Sequence, residues 1–261
     1  MLLENNVAVV FGGGGEVGRA IALGFAREGA VVYLAGRSLT KLEAAAEQIR
    51  QAGGKAVIGQ MDALDPRSIE QYLAGVVQEA GHLDVTFNAI STDDVQGIPL
   101  TEIAFDQFIA PIDLGMRTQF YTATAAARIM QKQGSGVIMT ISAVSGKTAY
   151  ANSGGFAISC IGIETFCRQL ANEVGPSGVR VICLRSAGSL DASGLQEVFT
   201  LHAKNAGMTY DEFVQQAVKD IPLRKLPALK EIANVAAFMA SERASALTGT
   251  AVNISCGQTP D

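Results

Sequence analysis

The sequence predicts an α/β fold of the Rossmann type, a single domain over residues 1–261 built on a doubly wound, parallel, seven-stranded sheet. Three observations lead there. Val7-Ala8-Val9-Val10-Phe11 is a continuous apolar run, which reads as a strand buried on both faces, as parallel-sheet strands are. It passes at once into Gly12-Gly13-Gly14-Gly15-Glu16-Val17-Gly18, and then into apolar residues at helical spacing, Ile21, Ala22, Phe25 and Ala26. From Gly29 onward, short apolar runs alternate with helix-period stretches, the pattern of βαβ units with helices on both faces.

The elements follow in order. Gly29 ends the first helix and Val31-Val32-Tyr33-Leu34-Ala35 forms the second strand. Ser38 caps a helix that runs to about Arg50 and stops at Gly53-Gly54. A third strand, Lys55 to Met61, leads to Asp65-Pro66, a cap with proline in the first turn, and a helix carrying Ile69, Leu73, Val76 and Val77 inward. The fourth strand, Leu83 to Phe87, ends at Asn88, and Thr92 to Leu100 reads as a loop. A long helical stretch follows, expected to break near Pro111 and Gly115 and to continue through the Ala-rich Phe120 to Met130. Gly136 to Ile141 is the fifth strand, and a helix from about Gly154 to Val174 precedes the sixth, Val179 to Leu184. Residues 188–222 read as an irregular, partly helical lid. A last helix from Lys230 and a seventh strand, Thr250 to Ile254, close the chain.

Composition narrows the function classes. With 48% apolar and 17% charged residues, a large core can form. A net charge of −5 gives no electrostatic footprint for nucleic acid. Four cysteines without short paired spacing, and His82 and His202 outside any ligand motif, argue against disulfides and against a metal site. No apolar run reaches membrane-spanning length, and the N-terminus runs directly into the first strand, so a cytoplasmic protein is expected.

The Gly-rich turn is where the chemistry starts. A tight turn between strand and helix leaves backbone N–H groups bare at a helix N-terminus, where orphan donors and the positive dipole end favour a pyrophosphate. Gly12 is expected to make the turn and Gly18 to let the helix close on the strand. At the end of the second strand an acidic residue would select a ribose 2′-hydroxyl, whereas arginine accommodates a 2′-phosphate. Arg37 stands there, so NADP is expected ahead of NAD.

Across nearly its whole length the chain resembles the short-chain dehydrogenase/reductase family. The family's Gly-rich turn is matched by Gly12, Val17 and Gly18, with Phe11 and Glu16 departing from it. Asp62 matches the acidic residue the family places near the adenine, and Asn88 the first residue of its Asn-Asn-Ala-Gly stretch. Glu231-Ile232-Ala233 and Thr248-Gly249 match later segments. The resemblance implies an oxidoreductase acting on a small molecule with a nicotinamide dinucleotide, assembled as a homodimer or homotetramer. It assigns cofactor contacts to Gly12, Val17, Gly18, Asp62 and Asn88, beside the Arg37 contact expected from the strand end.

The family's catalytic pair is Tyr-x-x-x-Lys, four residues apart so that both side chains share one helix face. Counting from Gly136 and Gly146, that pair falls on Phe156 and Cys160. The family's serine falls on Ala143 and its helical asparagine near Gly115, with Asp113 the closest polar residue. Phe156 has no proton to give and Cys160 carries no cation. A positioned general acid contributes about 10²–10⁴-fold, so the usual carbonyl reduction is expected to be lost. Substitute candidates are Ser142 at the strand end, Tyr150 and Lys147 in the following loop, and the Cys160 thiol. Arg185 either holds a substrate carboxylate or pairs with an acid. Two functions stay open: an oxidoreductase with a non-standard site, and a catalytically silent relative acting as a cofactor sensor or scaffold.

Overall fold

Seven strands, β1 (Val7–Phe11), β2 (Val31–Gly36), β3 (Lys55–Gln60), β4 (Val85–Asn88), β5 (Gly136–Ala143), β6 (Val179–Ser186) and β7 (Thr250–Ile254), form one sheet. Every neighbouring pair is parallel, in the spatial order β3-β2-β1-β4-β5-β6-β7. The computed structural model describes residues 1–260; Asp261, the last residue of the expected domain, lies outside them. Strand order reverses between β1 and β4, and a crevice opens at such a point beyond the carboxyl ends of the strands.

Helices cover both faces because the strands are apolar on both. On one side Ala8 and Val10 of β1 pack under α1 (Glu16–Arg27), α2 (Leu39–Gln51) and α8 (Leu229–Ala240), with Phe25, Leu42 and Ile232 fully or nearly buried. On the other, Val9 and Phe11 meet α3 (Pro66–Ala80), α4 (Phe105–Gln133) and α5 (Phe156–Val174) through Leu73, Met130 and Ile163. The caps read from the sequence are present: Ser38 Oγ accepts from the Lys41 N–H and Asp65 Oδ1 from the Arg67 N–H.

Three expectations are corrected. The long helix does not break: α4 runs without interruption through Pro111 and Gly115. Proline there removes the bond to the Gln107 carbonyl, but Gln107 is exposed, so water can take that acceptor. The lid is more regular than expected, with two helices, α6 (Ser193–Asn205) and α7 (Tyr210–Val218), the second opened by a Thr209–Glu212 capping box. β5 and β6 extend two residues past their expected ends, because Ser142 and Ala143 stay in register with Arg185 and Ser186. Among the described residues no helix is long and apolar enough to cross a membrane.

The Gly-rich turn has the tight geometry the sequence demanded. Gly12 adopts φ +75°, and a Cβ on it would lie 2.7 Å from the Ala89 carbonyl oxygen. A Cβ on Gly18 would overlap the Gly12 carbonyl. Gly75 on α3 has open space around it. Chemical denaturation is therefore expected to separate two equal changes: Gly18→Ala should cost about 2 kcal/mol from overpacking, and Gly75→Ala should gain about 0.5–1 kcal/mol from helix propensity.

Candidate active site

The crevice has two halves. The first, a cavity of about 440 Å³, is lined by Gly12, Gly14, Gly15, Arg37, Lys41 and Asp62 among others. Gly15 is the N-cap of α1, and a Cβ there would meet only the Gly12 carbonyl oxygen, at 3.4 Å, so any side chain would fill the cavity. The N–H groups of Glu16, Val17 and Gly18 head the helix without intrahelical partners. This is a cradle for an anionic group, and it fits a dinucleotide pyrophosphate.

Glu16 in the first turn of α1 would oppose that anion if it faced it. Instead its Oε2 accepts from both the N–H (2.7 Å) and the hydroxyl (2.9 Å) of Ser193, at the start of α6. The lid helix has no cap of its own and is capped by a carboxylate from the helix that heads the cradle. Gln96 Nε2 bonds Asp94, its Oε1 lies 3.2 Å from His202 Nε2, and Asn205 donates to the Gly97 carbonyl, so the far end of α6 is tied to the 92–103 loop. Phe213 packs against both Phe199 and His202 between α6 and α7, where burial holds the His202 pKa below its ordinary value.

At the mouth of β2, Arg37 and Lys41 both line the cavity, and neither side chain makes a hydrogen bond or ion pair among the described residues. Sequence reasoning missed Lys41, which reads as a solvated residue of α2 until the cap by Ser38 folds its turn beside Gly14. Asp62 lies on the same cavity and accepts from the Leu64 N–H. Asn88 reaches inward: its amide donates to Thr122 Oγ1 and its oxygen accepts from the Ile90 N–H, so its side chain builds the wall.

The second half, about 380 Å³, is lined by Val17, Ser142, Ala143, Phe156, Ser159 and Cys160 among others. Phe156, Cys160 and Glu164 succeed one another at four-residue spacing along one ridge of α5. Burial pushes the Cys160 thiol up to about 12, which keeps it protonated and unreactive at neutral pH. Tyr150 and Lys147 are not among the residues lining either half. The Tyr150 hydroxyl accepts from Gln258 Nε2 at 2.9 Å, and burial raises its pKa.

Beneath the ridge lies an ion pair. Glu164 is 1% exposed and Arg185 7%. Arg185 Nε bonds Glu164 Oε1 at 2.8 Å and its terminal nitrogen bonds Oε2 at 2.6 Å, the two-pronged geometry that guanidinium and carboxylate share. Ser142 donates its hydroxyl proton to the same Oε1 at 2.8 Å. Of the two roles open to Arg185, the structure places it against an acid of its own chain. Glu164 went unnoticed in the sequence, although its position one turn after Cys160, in an otherwise apolar ridge, was the available signal.

Comparison with known proteins bears on the family and the fold. A family model described as enoyl-(acyl carrier protein) reductase matches residues 15–259. The chain is 28% identical over 258 residues to the uncharacterized oxidoreductase YxjF of Bacillus subtilis, covering 98% of this chain and 99% of that protein. It is 27% identical over 256 residues to the levodione reductase of Leifsonia aquatica, covering 97% and 94% respectively. The crystal structure of NAD+-bound xylitol dehydrogenase superposes with a TM-score of 0.92 over 98% of this chain and 100% of that one, at 23% identity, which is a likeness of fold.

The carboxylate cap has a measurable consequence. Glu16→Ala removes two charge-assisted bonds from the first turn of α6, worth about 1–2 kcal/mol locally. Amide hydrogen exchange over residues 193–205 is expected to speed up by roughly tenfold, with exchange in β1 unchanged.

Proposed function

This chain belongs to the short-chain dehydrogenase/reductase family of oxidoreductases, whose fold implies a nicotinamide dinucleotide, and we propose that it binds NADP and a small molecule without the family's usual carbonyl-reduction mechanism. The observation that carries the proposal is the ridge Phe156–Cys160–Glu164: where a phenol and an ammonium would stand there are a ring and a buried neutral thiol.

Preference for NADP rests on Arg37 and Lys41, two cations without carboxylate partners beside the cavity that the cradle opens into. Gly12, Val17 and Gly18 would hold the pyrophosphate end, Asp62 the adenine side, and Asn88 would shape the wall between the halves. When bound, the dinucleotide supplies or accepts a hydride; the chain's own residues orient it, exclude water under α6, and must provide any proton.

Two versions differ on that proton. In an oxidoreductase with an altered site, Ser142 is the hydroxyl best placed at the strand end, since Tyr150 and Lys147 lie outside the lining. In a silent relative, the cleft senses cofactor or ligand and the protein acts through its assembly. Ser142's proton already engages Glu164, whose charge is matched by Arg185, and this favours the silent version. Exposed Phe120, Ile158 and Ile161 on α4 and α5 support assembly as a homodimer or homotetramer through that face.

Fluorescence titration with NADPH and NADH tests the cofactor. Arg37→Glu is expected to weaken NADPH by about 10–100-fold, the loss of a charge-assisted phosphate bond plus repulsion, while changing NADH by less than threefold. Equal loss of both contradicts the assignment. Phe156→Tyr combined with Cys160→Lys is expected to raise ketone-dependent NADPH oxidation by at least roughly tenfold, with either change alone having little effect.

A further inference from the structure

Two carboxylates fasten the start of the lid, and they do so separately. Asp191 accepts from the Leu229 N–H, at the head of α8, at 3.1 and 3.2 Å through its two oxygens, and from the Ser189 hydroxyl. Residues 189–191 are thereby anchored to α8. Glu16 accepts from the Ser193 N–H and hydroxyl at 2.7 and 2.9 Å, which anchors the first turn of α6 to α1. Because α6 has no cap of its own, that first turn takes its side-chain acceptor from Glu16.

The place of Glu16 makes it more than a cap. Gly15, Ala89, Ile90 and Ser91 line both halves of the crevice, so the halves meet there. Glu16 follows Gly15 in the chain and lines the reactive half together with Gly188, Ser189, Gly194 and Leu195 of the lid. Its bridge to Ser193 therefore joins the helix that heads the cradle to the lid, beside the junction of the two halves. Glu16 makes no ion pair among the described residues, so no side-chain cation offsets its charge. It is also the first residue of α1, within one turn of the N–H groups that would hold an anion. One negative charge at a helix N-terminus is stabilised there, whereas two at the same end oppose each other. Moving the carboxylate out to water relieves that opposition, and it takes the cap of α6 away.

We propose that Glu16 is a latch on the lid that an anion in the cradle loosens. Filling the cradle frees the first turn of α6, while Asp191 keeps residues 189–191 in place as the hinge. Thermodynamic linkage makes the effect mutual: a latched lid weakens anion binding by the factor through which the anion weakens the latch. The proposal rests on the reading above that the cradle takes the pyrophosphate of a dinucleotide. It adds regulation to that reading, since the unliganded chain holds its lid shut and nucleotide entry opens it.

Inorganic pyrophosphate is the probe, titrated by calorimetry into the full chain at constant ionic strength, with amide hydrogen exchange followed on the same samples. Slower exchange over residues 15–18 reports that it sits in the cradle. At saturation, exchange over residues 193–205 is expected to speed up at least about fivefold, with the Leu229 amide unchanged. Glu16→Gln keeps acceptors for Ser193 and removes the charge. It is expected to bind pyrophosphate at least about fivefold tighter than wild type and to lose the pyrophosphate effect on residues 193–205. Ser193→Ala keeps the charge but removes one of the two bonds of the latch, and is expected to tighten pyrophosphate about twofold. A fixed charge that merely repels the anion would leave Ser193→Ala at wild-type affinity. Unchanged or slower exchange over residues 193–205, or wild-type affinity in either variant, overturns the latch while the protected cradle stands. Absence of cradle protection in wild type and both variants overturns the cradle reading and the latch with it.

Discussion

Two close approaches of backbone to backbone organise this molecule: Gly18 on the Gly12 carbonyl, and Gly12 on the carbonyl of Ala89. The first sets how closely α1 lies on β1, and so where its unpaired N–H groups point. The second sets β1 against the end of β4, where strand order reverses and the crevice opens. No side chain can enter either contact. Arg37, Lys41 and Asp62 are arranged around the cavity that results, and the lid is tied to the same turn through Glu16.

The opposite half of the crevice obeys a different constraint. A carboxylate buried to 1% exposure persists only if it is paired and hydrogen-bonded, and Glu164 has both the guanidinium of Arg185 and the hydroxyl of Ser142. Breaking such a pair from one side costs about 3–5 kcal/mol, so the three residues act as one unit joining α5, β5 and β6. That unit engages the hydroxyl of Ser142, at the end of β5, within the fold. The fold thus holds a glycine-rich cradle at one end of the crevice and a strand-end hydroxyl committed to a buried ion pair at the other.

Much of this was legible in the sequence, and the parts that were not share a cause. Strands, caps and the Gly12–Gly18 turn are local matters of period and backbone freedom, and the chain carries them in consecutive residues. The unbroken α4 was hidden because the cost of Pro111 depends on whether the orphaned Gln107 carbonyl faces solvent, a tertiary fact. Lys41, Glu164 and Ser159 were hidden for the same reason: a lysine, glutamate or serine on a helix looks solvated until the fold shows what it faces. Arg185 signalled that it required a partner, while the identity of that partner depended on α5 lying across β6. Glu16 stood out in the sequence as a departure from the family's Gly-rich turn, but its engagement with Ser193, far along the chain, is a contact between segments that no spacing rule connects.

The proposal of a nucleotide cradle beside a site without the family's usual acid makes one demand on experiment. NADPH should bind the wild-type chain stoichiometrically, and in a stopped-flow single-turnover measurement the bound cofactor should keep its nicotinamide absorbance when a panel of ketones and aldehydes is added. Rapid loss of that absorbance with simple carbonyl compounds would show a working proton donor over the nicotinamide, and would contradict the roles assigned to Phe156, Cys160 and Ser142.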